Sequence, residues 1–476
     1  MNINKNIPLC CDLDETLIKT DCFFEAISYL IKTNPLYILY FPIWAIKGLP
    51  NFKQEVFKRA KIDVKTLPYN YEVIDFLKEQ KANGHKIVLA TATPQFIADE
   101  VEEYLGIFDK VLGSTDKLNL KSHNKANKLV ELYGENGFDY IGDSLADINV
   151  WKRADKAYLV AKSDYSVNKI LKSISVEKII YKYDNYAGLL IKELRILQWI
   201  KNLILIIPLI LAHKIADVDL LFNSTIAFFS FSFVASAVYI LNDLSDLTSD
   251  RQHRSKKYRP FASGHLRLQY AFVLVPTLLI VSFVLSFLFL NINFSIILLF
   301  YFVITSLYSL YIKKIAILDI LILASLYAIR IFAGGIATNI YLSPWLIGFT
   351  LFMFLSLAIV KRFTELNYLK MENIQKTIGR GYTVDDISLL RTMGISSGFL
   401  SIMVLVLYLN SEEVKVLYST PSLLWALAPL LLYWVMNLWL IAERGKMTDD
   451  PVVFAAKDKS SYIVSLLIAF IIYLAV

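Results

Sequence analysis

Charged residues and cysteines are both scarce in this chain of 476 residues. Only 19% of the residues are charged and 56% are hydrophobic, a balance that excludes an ordinary soluble protein of this length. The three cysteines (Cys10, Cys11 and Cys22) lack the spacing of metal ligands, and the first two fall on an apolar run. We therefore expect buried, reduced cysteines.

The apolar residues are distributed unevenly along the chain. Up to about Tyr186 they mix with charged residues as in a globular domain, whereas beyond Ile196 long apolar runs alternate with short charged loops, as in transmembrane helices. The net charge of +7 is weak evidence for a nucleic-acid partner, because the basic residues lie between apolar runs. We predict a globular domain at residues 1–165, a linker at 166–190 and a membrane domain at 191–476, with no nucleic acid bound.

The first apolar stretch of the globular domain leads into a pair of aspartates. Residues 7–11 predict a short buried strand, and Asp12 and Asp14 follow it. Alternate residues of a strand share a face, so both carboxylates point to the same side. Two such carboxylates can share a magnesium ion, one attacking phosphorus while the other handles protons.

Two later apolar stretches also end in polar residues. One ends at Thr91, and the other ends at Gly142 and Asp143, with Asp147 four residues further on. Helical patterns between the stretches predict an α/β doubly wound parallel sheet, whose ligands collect at the carboxyl ends of the strands. Lysines that could reach the same crevice are Lys117, Lys121 and Lys125.

These motifs resemble those of the haloacid dehalogenase-like phosphatases over roughly residues 5–160. The resemblance implies that Asp12 is the nucleophile and Asp14 the general acid and base. It also implies that Thr91 and Lys125 hold the phosphoryl oxygens. A turn and a helix cap could produce either acidic motif alone, but not four elements in this order after strands. The magnesium ligands implied are Asp12, Asp14, Asp143 and Asp147.

Residues 23–80 predict a helical cap inserted after the first motif. Within it, residues 36–49 are almost entirely apolar but too short to span a bilayer, and Pro42 interrupts them. A hydrophobic lid, an interfacial helix that holds the site at the membrane, and a buried core helix all remain open.

The second half of the chain predicts about nine membrane helices. The first domain has no signal peptide, so we expect it in the cytoplasm and the protein in the inner membrane. Basic residues then concentrate in the inside loops, which supports this orientation. The apolar segments lie near 197–213, 221–241, 270–290, 294–311, 316–336, 344–360, 392–409, 422–442 and 460–476.

The loop after the second apolar segment carries an acidic motif. Asn242, Asp243, Asp246 and Asp250 fall within one arc of about 100° on a helix. Three carboxylates on one face repel one another unless a divalent cation lies between them, and oxygen ligands suit magnesium, which usually accompanies a phosphate. A basic stretch follows at residues 251–259. An acidic solvated loop is the alternative, but it does not explain why the carboxylates share a face at the membrane boundary.

Charged residues also occur inside the fifth apolar segment. Asp319 and Arg330 are eleven positions apart, within about 20° of each other around a helix, and Tyr327 is nearby. Charges inside a membrane helix are costly and usually face a functional cavity. A structural pair that neutralises itself is the alternative.

The second half resembles the UbiA superfamily of intramembrane prenyltransferases over residues 190–476. The sequence NDLSDLTSDR at residues 242–251 corresponds to the first superfamily motif. The second motif is commonly DxxxD, but here Leu323 stands four residues after Asp319, which argues against an ordinary prenyl-diphosphate donor. A finer resemblance to decaprenyl-phosphate phosphoribosyltransferases rests on residues 198–202, 242–264 and 318–335.

The resemblance implies a membrane enzyme that transfers phosphoribose from 5-phosphoribosyl diphosphate to a polyprenyl phosphate, with Mg²⁺ as cofactor. The fused phosphatase would then remove the 5-phosphate. The alternatives are transfer of a prenyl group from a prenyl diphosphate to an aromatic or lipid acceptor, and a transporter with a regulatory domain. The bilayer and a possible second copy of the chain are further partners.

The same resemblance implies roles for individual residues. Asp243, Asp246 and Asp250 would hold the magnesium diphosphate. The residues implied in substrate binding are Asn242, Arg251, Lys257, Arg259, Lys313, Asp319, Tyr327 and Arg330.

Overall fold

The chain forms two compact units, which comprise residues 1–194 with 240–274, and residues 195–239 with 275–476. The computed structural model describes residues 7–115, 118–161, 164–181, 186–372, 380–447 and 450–476.

The first unit is built on a parallel sheet of six strands in the order β3-β2-β1-β4-β5-β6. β1 lies between β2 and β4, so the residues that follow these three strands meet at one edge of the sheet. The predicted doubly wound α/β fold is therefore confirmed. The strands are β1 (Leu9–Cys11), β2 (Ile87–Pro94), β3 (Lys110–Ser114), β4 (Asp139–Gly142), β5 (Ala157–Ala161) and β6 (Lys178–Tyr181).

Helices cover both faces of this sheet and form the cap. Two apolar clusters pack against the strands, one around Leu9 and Leu89 and the other around Cys10 and Tyr140. All three cysteines are buried and free, as predicted. The helices are α1 (Cys22–Thr33), α2 (Tyr37–Ile46), α3 (Leu49–Arg59), α4 (Tyr71–Ala82), α5 (Gln95–Leu105), α6 (His123–Tyr133), α7 (Ile148–Trp151), α8 (Asp164–Leu171) and α9 (Tyr186–Glu193).

The boundaries of the first unit differ from the predicted domain limits in two places. β6 and most of α8 lie within residues 166–190, where we predicted a linker, because β6 is a four-residue strand whose pairing with β5 is not visible in a local pattern. Residues 240–274, which we assigned to the membrane domain, belong to the compact unit of the sheet.

The second unit is helical and apolar. Seven helices in the described part of the chain are long and apolar enough to cross a membrane, and the bent pair Tyr186–Glu193 with Ile196–Leu211 would make an eighth. The ninth predicted segment forms a helix of 17 residues. The helices that follow α9 are α10 (Ile207–Leu211), α11 (Val218–Ser245), α12 (Leu247–Gln252), α13 (Gln269–Phe289), α14 (Ile292–Leu310), α15 (Leu318–Thr338), α16 (Pro344–Met371), α17 (Ile387–Leu409), α18 (Glu412–Leu417), α19 (Leu427–Glu443), α20 (Pro451–Ala455) and α21 (Lys459–Ala475).

A close approach between two segments of the second unit requires a glycine. A Cβ atom on Gly334 of α15 would lie 2.0 Å from the carbonyl oxygen of Leu205, so only glycine fits there. Leu205 belongs to the 3₁₀ helix Ile196–Ile206 that precedes α10. This contact brings Asn202 of that helix beside Arg330 of α15.

Candidate active sites

Three carboxylates of the first unit converge at the carboxyl edge of the sheet. Asp12 follows β1, and Asp143 and Asp147 follow the neighbouring strand β4. One oxygen from each carboxylate lies within 4.8 Å of the other two. Carboxylate oxygens at this separation suit Mg²⁺, so the residues present fit the predicted ion.

Lys125 is the lysine that reaches these carboxylates. It lies on α6 and is buried, and its Nζ atom is 2.7 Å from Asp12 Oδ2 and 3.8 Å from Asp147 Oδ1. The same ammonium group donates a hydrogen bond of 2.9 Å to the hydroxyl of Tyr140, which in turn donates to Asp147. The competing Lys121 is exposed, and Lys117 lies outside the described residues.

Asp14 has a different environment from Asp12. Its Oδ1 atom accepts a hydrogen bond of 2.8 Å from the backbone N–H of Cys22, and its Oδ2 atom accepts one of 2.6 Å from the Thr93 hydroxyl. Its carboxylate is not part of the converging group of three. The predicted Thr91 is fully buried and its hydroxyl oxygen accepts a bond from the backbone N–H of Thr93. These contacts fix the orientation of Asp14 beside the site.

Burial and repulsion from neighbouring carboxylates raise the pKa of two of these groups, Asp12 and Asp143. Burial raises the pKa of the Asp12 carboxyl to about 7, although the Lys125 ammonium acts in the opposite direction. Burial, then Glu15, Asp147 and Asp12, raise the pKa of the Asp143 carboxyl well above its usual range. A divalent cation supplies the positive charge that keeps such a group ionised.

In the acidic motif of the 240–274 segment, an arginine joins two of the aspartates. Arg259 Nη1 lies 2.9 Å from Asp243 Oδ1 and 2.5 Å from Asp250 Oδ2, and both carboxylates are buried. The helix is interrupted at Asp246, which is partly exposed and precedes α12. Among the described residues these three aspartates do not converge as Asp12, Asp143 and Asp147 do, because the guanidinium group lies between two of them. Asn242 is in the last turn of α11.

Two basic residues of this segment for which a substrate-binding role was implied, Arg251 and Lys257, have very different surroundings. Arg251 forms a buried bidentate ion pair with Glu25 of α1, at 2.6 and 3.1 Å, and donates to the carbonyl of Ala262. It follows Asp250 directly, so it points about 100° away from that carboxylate around the helix. Lys257 is exposed and its Nζ atom lies 5.2 Å from the ring centre of Tyr258.

The second unit contains an acidic residue, Asp450, between two lysines. Asp450 forms an ion pair with Lys201 and lies 3.6 Å from Lys361 Nζ. Burial alone would raise the pKa of the Asp450 carboxyl, but both ammonium groups and the hydrogen bonds from Lys201 and the Val453 backbone lower it to about 2. Sequence analysis missed this cluster because its members are up to 249 positions apart.

Arg330 is held by neutral partners. Its guanidinium group donates 2.8 Å to Asn202 Oδ1, 2.6 Å to the Tyr301 hydroxyl and 2.6 Å to the carbonyl of Leu326. Its central carbon lies 5.3 Å from the ring centre of Tyr327, and that ring stacks on Phe354 at 4.5 Å. Among the described residues, none of these partners of Arg330 is a carboxylate. Its positive charge is therefore not offset by an ion pair with them.

Asp319 does not pair with Arg330. Eleven helical residues span about 16 Å along the axis, which is too far for contact even when two residues share a face. The Asp319 carboxylate is inaccessible to solvent and binds Arg362, the Tyr308 hydroxyl at 2.7 Å and Arg380 at 3.6 Å. The alternative of a self-neutralising pair with Arg330 is therefore wrong, and Asp319 instead belongs to a network with Tyr308 of α14, Arg362 of α16 and Arg380. Lys313 is half-buried in the loop before α15.

An apolar groove of about 350 Å³ lies among α14, α15 and α16. Its wall contains almost only carbon atoms. Lining residues include Ile297, Phe300, Ala328, Phe332, Leu342 and Ile347.

Comparisons with known proteins agree with both halves of the chain. The UbiA prenyltransferase family matches residues 203–457, and the haloacid dehalogenase-like hydrolases match residues 9–152. An uncharacterized protein of Sinorhizobium fredii is 35% identical over 471 residues, which cover 98% of this chain and 90% of that protein. Decaprenyl-phosphate phosphoribosyltransferase of Mycolicibacterium smegmatis is 36% identical over 191 residues, 38% of this chain and 58% of that protein. Among solved structures, a UbiA homologue from Archaeoglobus fulgidus bound to GPP and Mg²⁺ is 14% identical in sequence and has a TM-score of 0.45. The match covers 59% of this chain and 97% of that chain.

The transferase match spans more than half of the chain, and the hydrolase match contains the converging carboxylates. The apolar helices and this family together indicate an integral membrane protein and exclude the alternative of a transporter with a regulatory domain. The chain is an enzyme of the UbiA prenyltransferase family, and a haloacid dehalogenase-like hydrolase domain precedes the transferase in the same polypeptide.

Proposed function

We propose that the transferase half moves phosphoribose from 5-phosphoribosyl diphosphate to a polyprenyl phosphate. The observation that carries this proposal is the 36% identity with decaprenyl-phosphate phosphoribosyltransferase, which exceeds what a shared membrane fold alone would produce. The departure from DxxxD, with Leu323 after Asp319, adds support, because it removes acidic ligands for a prenyl diphosphate.

In this proposal the 240–274 segment binds the diphosphate. Asp243, Asp246 and Asp250 would hold Mg²⁺, which neutralises the diphosphate and makes it a better leaving group. In this structure Arg259 neutralises two of these carboxylates, Asp243 and Asp250. When Mg²⁺ neutralises them instead, the Arg259 guanidinium would turn toward the diphosphate. Asn242 would orient the same group.

The acceptor would be bound by residues of the second unit. A lipid phosphate is an anion on an apolar chain, so its site needs cations beside an apolar surface. Arg330, whose recorded partners are neutral, and Lys361 supply positive charge, while the groove among α14, α15 and α16 is wide enough for part of a prenyl chain. A phosphate oxygen of the acceptor attacks the anomeric carbon, the bond to the diphosphate breaks, and pyrophosphate leaves.

The hydrolase half is proposed to cleave a phosphomonoester in the cytoplasm. Asp12 attacks phosphorus while Asp14 donates a proton to the departing oxygen. Water then attacks the aspartyl phosphate, Asp14 takes its proton, and phosphate leaves. Lys125 would hold a phosphoryl oxygen, and Asp12, Asp143 and Asp147 would hold Mg²⁺. The 5-phosphate of the lipid product is the proposed substrate.

A prenyl transfer to an aromatic or lipid acceptor is the second candidate, favoured by the family match at residues 203–457. One assay separates the two. The assay uses membranes that contain wild type, D243N/D246N or the control D219N. The control changes an exposed residue at the start of α11. Each membrane sample receives polyprenyl phosphate, Mg²⁺ and radiolabelled 5-phosphoribosyl diphosphate. We expect label in the lipid fraction with wild type and D219N, and less than about one hundredth of it with D243N/D246N. Absence of label with wild type, together with transfer from a prenyl diphosphate, would reject phosphoribosyl transfer.

A further inference from the structure

The segment that carries the transferase aspartates packs closely on the hydrolase. At Gly264, φ is +70°, and an added Cβ would lie 2.6 Å from the Cβ of Lys19, only three residues after Thr16 of the first hydrolase motif. The buried ion pair between Arg251 and Glu25 joins the same two regions. These contacts hold residues 240–274 in one compact unit with the hydrolase sheet.

Arg267 extends from this segment to the hydrolase site. Its Nη2 atom lies 2.8 Å from Glu15 Oε2 and 3.9 Å from Asp143 Oδ2. Glu15 stands between Asp14 and Thr16 of the first hydrolase motif, and its φ is 57°. The Arg267 side chain remains 30% exposed, compared with 8% for Arg251.

Arg267 supplies positive charge and an unpartnered donor at a site that is otherwise rich in carboxylates. Its Nε atom is buried and has no hydrogen-bond partner among the described residues. Lys125, the other cation at the site, is already engaged by Asp12 and Tyr140. A phosphorylated substrate would meet several carboxylates here, and its phosphate needs positive charge beyond that of one Mg²⁺. A guanidinium group with open donors binds phosphate oxygens in a planar, bidentate manner.

We propose that Arg267 binds a phosphate oxygen of the hydrolase substrate, so that the transferase segment completes the hydrolase site. This inference rests on the proposed hydrolysis at Asp12. The guanidinium would leave Glu15 and bind the substrate phosphate instead, because the Arg267–Glu15 ion pair is partly exposed and such pairs are weak. The hydrolase site would therefore recognise phosphorylated substrates through Arg267, which lies 255 positions after Asp12 in the sequence.

The test uses the full-length protein in detergent micelles with p-nitrophenyl phosphate at saturating Mg²⁺. Variants are R267Q, R267K and the control R153Q, which removes an exposed arginine paired with Glu135 on the same domain. We expect R267Q to raise KM and the inhibition constant of inorganic phosphate about tenfold or more, with kcat within about threefold. R267K should recover part of the loss, and R153Q should behave as wild type.

Two outcomes would overturn the proposal. One is that R267Q leaves KM and phosphate inhibition within about twofold of wild type. The other is that R267Q and R267K lose kcat and thermal stability together, which would indicate a structural role. D12N separates this question from the hydrolase proposal. Hydrolysis that persists in D12N would reject the chemistry at Asp12 and with it the role of Arg267, whereas hydrolysis lost in D12N together with an unchanged KM in R267Q would reject the role of Arg267 alone.

Discussion

At the scale of single residues, the buried ion pairs of the second unit are the features most sensitive to change. Arg362 and Asp319 are both almost fully inaccessible, and Tyr308 bonds to both of them. Removal of one charge from such a pair leaves the other buried without compensation, which costs more than the pair itself contributes. The substrate-binding role implied for Asp319 stays a prediction, and in this structure its carboxylate pairs with Arg362.

We therefore predict that D319N lowers the free energy of unfolding by about 3 kcal/mol, because it leaves the Arg362 guanidinium without its buried counter-ion. The measurement is the midpoint of thermal unfolding in detergent. The double variant D319L/R362M removes both charges and should have a midpoint closer to wild type than D319N. A D319N midpoint equal to that of wild type would show that Glu365, which also pairs with Arg362, or an anionic lipid headgroup compensates for the lost carboxylate.

At the scale of elements, α2 of the cap is notable for its exposed apolar side chains. Leu39 and Ile46 are 68% and 86% exposed, and among the described residues of α2 only Trp44 is buried. This excludes the buried core helix that the sequence left open. α1, its neighbour in the cap, contacts the first turn of the membrane helix α13, where the rings of Phe24 and Phe272 are 5.5 Å apart. An interfacial helix best explains both observations.

We predict that α2 contacts lipid. A thiol-reactive fluorophore on I43C should be quenched by brominated lipids in nanodiscs, because Ile43 is exposed on the apolar helix, while the same fluorophore on Y71C should not be. Tyr71 is a suitable control because it is also exposed but begins α4. The native cysteines are buried and should not react. Equal quenching at the two positions would argue against an interfacial helix.

At the scale of the whole molecule, the chain joins a transferase to a hydrolase in one polypeptide. Pyrophosphate release followed by removal of a phosphate would draw the two reactions forward. The 240–274 segment belongs to the compact unit of the hydrolase sheet and also carries the acidic motif at residues 242–251.

If the two reactions are consecutive, D12N should stop the pathway after the first. With 5-phosphoribosyl diphosphate labelled with ¹⁴C in ribose and ³²P in the 5-phosphate, the wild-type lipid product should keep ¹⁴C and lose ³²P. The D12N product should keep both labels, because transfer does not need Asp12. The control is D75N, at an exposed position of α4. Loss of ³²P at the wild-type rate in D12N would disprove the coupling.

The sequence alone determined the features that depend on local pattern. The lengths of the apolar runs predicted the membrane helices, and the short strands that end in Asp12, Thr91 and Asp143 predicted the α/β sheet. The order of motifs left Lys117, Lys121 and Lys125 as candidates for the lysine of the site, and the contact of Lys125 with Asp12 then favours Lys125 over the exposed Lys121. These inferences succeed because helix and strand periods act over a few residues, and because parallel strands bring their carboxyl ends to one edge.

Only the tertiary structure decided which charged groups meet. Arg251 pairs with Glu25 across 226 positions, Asp319 pairs with Arg362 instead of Arg330, and Arg267 lies beside Asp143. A charged side chain can be neutralised by any opposite charge that folding brings within a few ångströms. Its partner therefore cannot be read from its neighbours in the sequence. The sequence therefore determined the two fold classes and the enzyme families, while long-range packing decided which charged residues meet.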